Sequence, residues 1–353
     1  MKKFNPATFK EELKKNISKL AITQPRGYSF VISQNGRLAD TCSMGIASFS
    51  SAAGAKIGGN LMHPDKETNV ASVTKTFTAV AVIKLMEKNN IKLDDAIGQW
   101  LPKYFNAVQP VKDITFRQLL THRSGISQSA GKIEFIKQMA LNGLDNPAKP
   151  KKYANMNFAL FRVMIPYMIN KTAAQQVEAS LVPGQTATFE NWLSIQYVKY
   201  LQENIFTPIG ITEALCKPGP DCAQALGEGE STAAYTHFDW TQESGGGGYY
   251  LSTMEMARFM AFLGNTEKLL TNEQREMMDK NFLGWDTEDS FMTGHGQSYG
   301  KDGALQWGAP GMQTLVVKYP GNIELSISVT SWPGDDFRNL AEAAMFAYND
   351  SWE

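Results

Sequence analysis

A serine three residues ahead of a lysine can perform acyl transfer when one helix carries both. Ser72 opens the run Ala71-Ser72-Val73-Thr74-Lys75-Thr76-Phe77, and this spacing puts its hydroxyl and the Lys75 amine on one helix face. An amine so placed can take the hydroxyl proton and turn a weak nucleophile into an acylating one. The S-x-x-K pattern is short and also occurs at Ser129/Lys132 and Ser298/Lys301. In those two a glycine, Gly131 or Gly300, precedes the lysine and weakens any helix there. Only Ser72 leads into a long apolar stripe, with Phe77, Val80, Ile83, Leu85 and Met86 able to bury the helix and hold its first turn. The competing reading of Ser72 is a hydroxyl that caps a helix start.

Three further segments favour the chemistry. Leu119-Leu120-Thr121-His122-Arg123-Ser124-Gly125 follows downstream of Ser72, then Tyr153-Ala154-Asn155, then Lys301-Asp302-Gly303-Ala304 close to the C-terminal strands. In this order the four segments resemble the serine β-lactamase and penicillin-binding protein superfamily. The pattern is closest to its branch of class C β-lactamases, D-alanyl-D-alanine carboxypeptidases and family VIII esterases. The resemblance runs from about Gly27 to Trp332, and the L-L-T-H-x-S-G match is its most specific part.

The resemblance implies a role for each residue. Ser72 is the nucleophile, and its own N–H, near a helix N-terminus, donates to the oxyanion. Lys75 is base or electrostatic partner, its pKa depressed by burial and nearby cations. Tyr153 is the general base for acylation, helped by the field of Lys75 and Lys301. Asn155 bonds Lys75 and a substrate amide, its structural alternative being a helix N-cap. Lys301 holds a substrate carboxylate or polarises Tyr153, Gly303 lets substrate approach the strand, and the Ala304 N–H is the second oxyanion donor. This chain departs from the family after Lys301, where Leu305 to Gly311 lengthens the stretch before the next strand. A competing register puts Gln306-Trp307-Gly308-Ala309 at the motif, like the W-G-G form of some family VIII esterases. A lysine there suits a carboxylate-bearing substrate and Trp307 a neutral ester. His122 is expected to order a loop rather than act as a base.

The elements that must position these residues read as α+β. A helix from Pro6 to about Ala21 precedes a strand at Tyr28–Ser33, and Asn35-Gly36 turns it into a second at Arg37–Ala47. Residues 48–60 are small and glycine-rich, a loop or linker. Thr115 caps a helix carrying Leu119 and Leu120, and Ser252-Thr253-Met254-Glu255 is a capping box for a helix to about Leu263. Helices are expected near 132–142, 156–170 and 188–205, strands near 297–305, 312–319 and 323–331, and a last helix near 335–348. With strands at both ends and helices between, the simplest closure is one antiparallel sheet flanked by the N- and C-terminal helices, with an inserted helical lobe. The whole chain is then a single catalytic unit, with a sheet lobe over about 1–70 and 250–353 and a helical lobe over about 71–249.

Composition agrees with an enzyme that buries a large core. The chain has 353 residues, 43% hydrophobic and 20% charged, with formal net charge −1. Without a basic cluster, nucleic acid and anionic membrane surfaces are not expected partners. No apolar run approaches the ~20 residues of a membrane helix, and no apolar stretch follows Lys2-Lys3 as a signal peptide would require. The resemblance itself slightly favours a periplasmic or secreted location. Cys216 and Cys222 could close a small disulfide loop or remain reduced. His63, His122, His237 and His295 show no zinc-ligand spacing, so neither metal nor cofactor is expected. Gly245 to Gly248 lacks the phosphate-loop pattern and reads as a tight turn. No G-x-S-x-G elbow is present, which argues against an ordinary α/β-hydrolase. The Ser72/Lys75 spacing and the resemblance together imply a serine hydrolase with a small-molecule or short-peptide ester, amide or lactam substrate. The alternative is a penicillin-binding or sensor protein that deacylates slowly.

Overall fold

The computed structural model describes residues 2–20, 25–49, 59–182, 185–229, 231, 233–236, 238–286, 292–331 and 338–353. The strands are β1 (Gly27–Gln34), β2 (Arg37–Phe49), β3 (Gly59–Leu61), β4 (Glu67–Asn69), β5 (Ala225–Leu226), β6 (Ala234–Tyr235), β7 (Tyr250–Ser252), β8 (Met292–Thr293), β9 (Gly296–Gln297), β10 (Tyr299–Gln306), β11 (Gly311–Tyr319) and β12 (Ile323–Val329). The helices are α1 (Pro6–Ile17), α2 (Thr74–Lys88), α3 (Gln109–Lys112), α4 (Phe116–Leu120), α5 (Ile133–Asn142), α6 (Met156–Ile169), α7 (Lys171–Ala179), α8 (Thr186–Leu201), α9 (Thr253–Asn265), α10 (Asn272–Lys280) and α11 (Arg338–Asn349).

The main sheet is antiparallel and closes the chain's two ends, as expected, with order β3-β2-β1-β12-β11. β10 pairs along β11, and the short β5 and β6 extend the same sheet beyond Gly311. Alternation along each strand sets its two faces. Phe30, Ile32, Leu315, Val317, Leu325 and Ile327 bury against Phe9, Leu13 and Ile17 of α1 and Leu340, Ala344 and Tyr348 of α11. Each such side chain contributes about 1.5–3 kcal/mol on burial. The opposite face carries Ser29, Ser326 and Ser328 and packs on α9, where the Ser29 and Thr253 hydroxyls meet.

A larger core surrounds α2, which is buried from Thr74 to Ile83 on every side and not only along its apolar stripe. Its threonines are tolerated there because each finds a partner. Thr74 Oγ1 accepts from Tyr249 N at 3.2 Å, Thr76 Oγ1 donates to Gly284 O at 3.1 Å, and Thr78 Oγ1 donates to Gly245 O at 2.9 Å. α2 is thereby tied to two separate stretches of chain, 245–249 and the one at Gly284, that converge on its first turns.

Several boundaries differ from the sequence reading. α1 ends at Ile17, where the Ser18 hydroxyl turns back to Lys15 O. Within the glycine-rich 48–60 stretch, Ser48 and Phe49 belong to β2 and Gly59 and Asn60 to β3, while residues 50–58 lie outside the described ones, as do 335–337 before α11. Two unexpected short helices are held by their caps: Asn170 Oδ1 accepts from Ala173 N before α7, and Thr271 with Gln274 forms a capping box before α10. β10 runs on through Gln306, so the lengthened stretch after Lys301 is strand closed by the four residues Trp307 to Pro310. Of the alternatives for Cys216 and Cys222, both are free thiols, as is Cys42.

Candidate active site

Ser72 lies in a single 3-10 turn, Ala71–Val73, that feeds directly into α2. Ala71 adopts φ +46°, a left-handed conformation that costs a non-glycine residue about 1–3 kcal/mol. The turn is held from outside: Ala71 N donates to Asn69 Oδ1 at 2.8 Å and Val70 N to Tyr249 O at 2.8 Å. No side-chain cap bond forms at this turn, so Ser72 does not serve as a helix cap.

Lys75, Tyr153 and Asn155 converge on that serine. Lys75 Nζ lies 2.9 Å from Ser72 Oγ, and Tyr153 Oη lies 2.6 Å from the same oxygen. Lys75 also donates to Asn155 Oδ1 at 2.8 Å and to Gly246 O at 2.5 Å. Asn155 precedes α6 at its N-cap position but makes no capping bond, its side chain being turned to Lys75 instead. Lys75 is completely buried, and burial first, then the Lys301 charge, holds its amine well below the usual lysine range. The opposite holds for Tyr153. Burial raises the phenol, while Lys301 and the Ser72 hydrogen bond only partly oppose this. The ring as a whole is 47% exposed, so water reaches one side of it and moderates the shift. The lysine field expected to bring Tyr153 down is therefore present and outweighed.

The Leu119–Gly125 segment orders Tyr153. His122 has φ +56°, its O accepts from Lys152 N at 2.8 Å, and its Nδ1 accepts from Ala154 N at 3.3 Å. Its ring lies 4.5 Å from that of Tyr153. Burial and the Lys75 charge hold the imidazole well below its usual range, so it is a neutral acceptor. Ser124 donates to Asn157 at 2.5 Å, clasping the start of α6.

β10 brings the third segment alongside. A Cβ on Gly303 would lie 2.6 Å from Val70 O and 2.9 Å from Ser72 N, so only glycine lets the strand approach the Ser72 turn this closely. Gly300 O and Asp302 N both bond Asp286, on the side of β10 away from β11. By strand alternation Ala304 N–H points to that same free edge. Trp307 and Gly308 lie instead in the hairpin turn, where Trp307 stacks on Tyr235 at 3.9 Å and a Cβ on Gly308 would meet open space. Lys301 is 2% exposed, with its Nζ 5.4 Å from the Tyr153 ring centre. It donates to Asp286 Oδ1 at 2.6 Å and to Asp302 Oδ1 at 2.8 Å.

Two participants escape a sequence reading. Gly246 belongs to a glycine run that reads as a turn, and its carbonyl meets Lys75 only because the run threads between α2 and α6; a Cβ there would lie 2.8 Å from Asn155 O. Asp286 has no motif at all and reaches Lys301 from a segment pinned by Gly284 N to Leu120 O. Among the described residues no group of His, Cys, Asp and Glu could hold a metal. Nor is any helix there long and apolar enough to cross a membrane.

Comparison with known proteins supports one family. The Beta-lactamase family model matches residues 16–182, a stretch that contains Ser72, Lys75, Tyr153 and Asn155 and ends before Lys301. The chain is 26% identical over 202 residues to the putative penicillin-binding protein PbpX of Bacillus subtilis, covering 54% of this chain and 44% of that protein. It is 26% identical over 169 residues to monacolin J acid methylbutanoyltransferase of Aspergillus terreus, covering 43% and 38% respectively. The chain thus matches less than half the length of these relatives. A crystal structure of D-amino acid amidase from Ochrobactrum anthropi, complexed with L-phenylalanine amide, shares the fold with TM-score 0.70 and 15% identity, over 96% of this chain and 98% of that one.

Proposed function

We propose that this chain, which matches the Beta-lactamase family model over residues 16–182 and resembles a putative penicillin-binding protein, is a serine hydrolase forming an acyl-enzyme at Ser72. The observation that carries this reading is the bonding of Lys75. An ammonium has three N–H donors, a neutral amine two donors and one lone pair. Asn155 Oδ1 and Gly246 O take two N–H groups, and the third direction faces Ser72 Oγ at 2.9 Å. With the amine's pKa depressed, its lone pair points at the serine hydroxyl. Lys75 rather than Tyr153 is then the base that takes the serine proton.

Ser72 Oγ attacks the substrate carbonyl carbon while its proton moves to Lys75 Nζ. The oxyanion is held by the N–H groups of Ser72 and Ala304, which makes Lys301-Asp302-Gly303 the third motif. As the bond to the leaving group breaks, that group takes the Tyr153 proton, and the new Lys75 ammonium, 4.8 Å from the tyrosine ring centre, favours the phenolate. In deacylation a water attacks the ester and gives its proton to Tyr153, and Ser72 recovers its own from Lys75.

The test is intact-protein mass over time with a penicillin and, separately, with p-nitrophenyl butyrate, using wild type and Ser72→Ala. The reading expects nitrophenol release that Ser72→Ala abolishes, with no lasting adduct. A persistent Ser72-dependent penicillin adduct without turnover of the ester would instead identify a slowly deacylating penicillin-binding protein. Turnover unchanged in Ser72→Ala would overturn the acyl-enzyme.

A further inference from the structure

The residue expected to receive a substrate carboxylate is already occupied by two carboxylates of the chain itself. Lys301 bonds Asp286 Oδ1 at 2.6 Å and Asp302 Oδ1 at 2.8 Å, and its side chain is 2% exposed. The arrangement is stitched in place by the backbone. Asp286 Oδ2 accepts from Asp302 N at 2.8 Å, and Asp286 N donates to Gly300 O at 2.8 Å, so Asp286 lines the free edge of β10. Its neighbours anchor it to the Ser72 helix and to α10: Gly284 O accepts from Thr76, and Trp285 Nε1 donates to Asp279 at 3.0 Å.

The charge that an incoming group meets is set by all three residues. Lys301 remains cationic, since the two aspartates outweigh the effect of its burial. Burial works against the Asp302 carboxylate too, but Lys301 and the Asp286 hydrogen bond prevail and hold it down. Burial pushes Asp286 up, but the Asp302 carboxylate by itself already balances the Lys301 charge, so the trio carries no net positive charge. The aspartates keep part of their surface accessible, with side-chain exposures of 21% for Asp286 and 32% for Asp302, whereas the ammonium is covered. An approaching carboxylate therefore meets like charge before it meets Lys301.

We propose that Asp286 and Asp302 are specificity-determining residues that turn the site beside Lys301 against carboxylate-bearing substrates and toward neutral ones. This rests on the serine hydrolase reading above. Like charges brought together at a binding site cost enough to exclude a partner by roughly tenfold or more.

The experiment uses two phenyl esters of one acyl group, one bearing a meta-carboxylate on the leaving group and the other its neutral methyl ester. Wild type, Ser72→Ala, Asp286→Asn and Asp302→Asn are compared by kcat/KM. Wild type is expected to favour the neutral ester, and each aspartate variant to shift the ratio toward the anionic ester by roughly tenfold or more. The ratio is the readout, so a general loss of activity does not imitate the effect, and either variant suffices if the other fails to fold. A Ser72-dependent wild type that prefers the anionic ester, or a ratio unmoved in the folded variants, overturns the specificity assignment alone. Hydrolysis of neither ester, or hydrolysis unaffected by Ser72→Ala, overturns both this assignment and the reaction on which it rests.

Discussion

Lys75→Met removes the amine while keeping an unbranched side chain of similar length in a fully buried place. If Lys75 is the acylation base, the loss is that of general base catalysis, about 10²–10⁴-fold, or about 2.7–5.4 kcal/mol of barrier at 1.36 kcal/mol per factor of ten. Stability changes by two opposed amounts. Asn155 Oδ1 and Gly246 O lose their donor, about 1–3 kcal/mol each, while the cost of burying an amine disappears. That cost has a definite pH sign. Between the depressed folded pKa and the unfolded value near 10.4, the unfolded chain binds the extra proton, so wild-type stability rises with pH through that window. Below the folded pKa the penalty is present in full. The variant lacks this rise. The assay is the single-turnover rate of nitrophenol release from p-nitrophenyl butyrate across neutral and alkaline pH, with urea melts on the same samples. Wild-type acylation should increase with pH through an apparent pKa below the usual lysine value, since the free amine is the active form, and the variant should be slow and lack that limb. Acylation within tenfold of wild type, or a variant that keeps the rising limb, would refute Lys75 as the base.

Tyr153→Phe deletes the hydroxyl 2.6 Å from Ser72 Oγ, so its effect should follow the leaving group. A nitrophenolate departs without a proton, whereas an alkyl ester or amide needs one, and the latter should lose about 10²-fold or more in kcat/KM while the nitrophenyl ester acylates with a much smaller loss. Equal losses on both substrates would remove Tyr153 from leaving-group protonation. Gly303→Ala puts a Cβ 2.6 Å from Val70 O and should abolish acylation, whereas Gly308→Ala has open space around it and only the strain of φ +67°, about 1–2 kcal/mol. Steady-state kinetics and melts on the two variants check this. Gly308→Ala inactive with Gly303→Ala active would transfer the third motif to the Gln306-Trp307-Gly308 register.

Much of the fold is determined by patterns that act locally. Asn35-Gly36 closes the first hairpin, the Thr115 and Ser252 capping boxes start their helices, and period-two alternation makes 311–319 and 323–329 strands. The Ser72/Lys75 spacing likewise puts both groups on one turn before any tertiary contact is known. Tyr153 and Asn155 are legible only as a motif in order, because nothing within the 80 residues separating Asn155 from Lys75 encodes their meeting. Tertiary structure alone decides the charges and how Lys301 is partnered. Lys75 is depressed because α6 and the Gly246 turn exclude water around it, a property of packing and not of its neighbours in sequence. Lys301 looks like a free cation in the linear chain. It becomes a covered ion pair because Asp286, 15 residues earlier, is hydrogen-bonded along the free edge of β10. A sequence states which groups are available, but desolvation and distance, which set their charge and their partners, exist only once the chain has closed on itself.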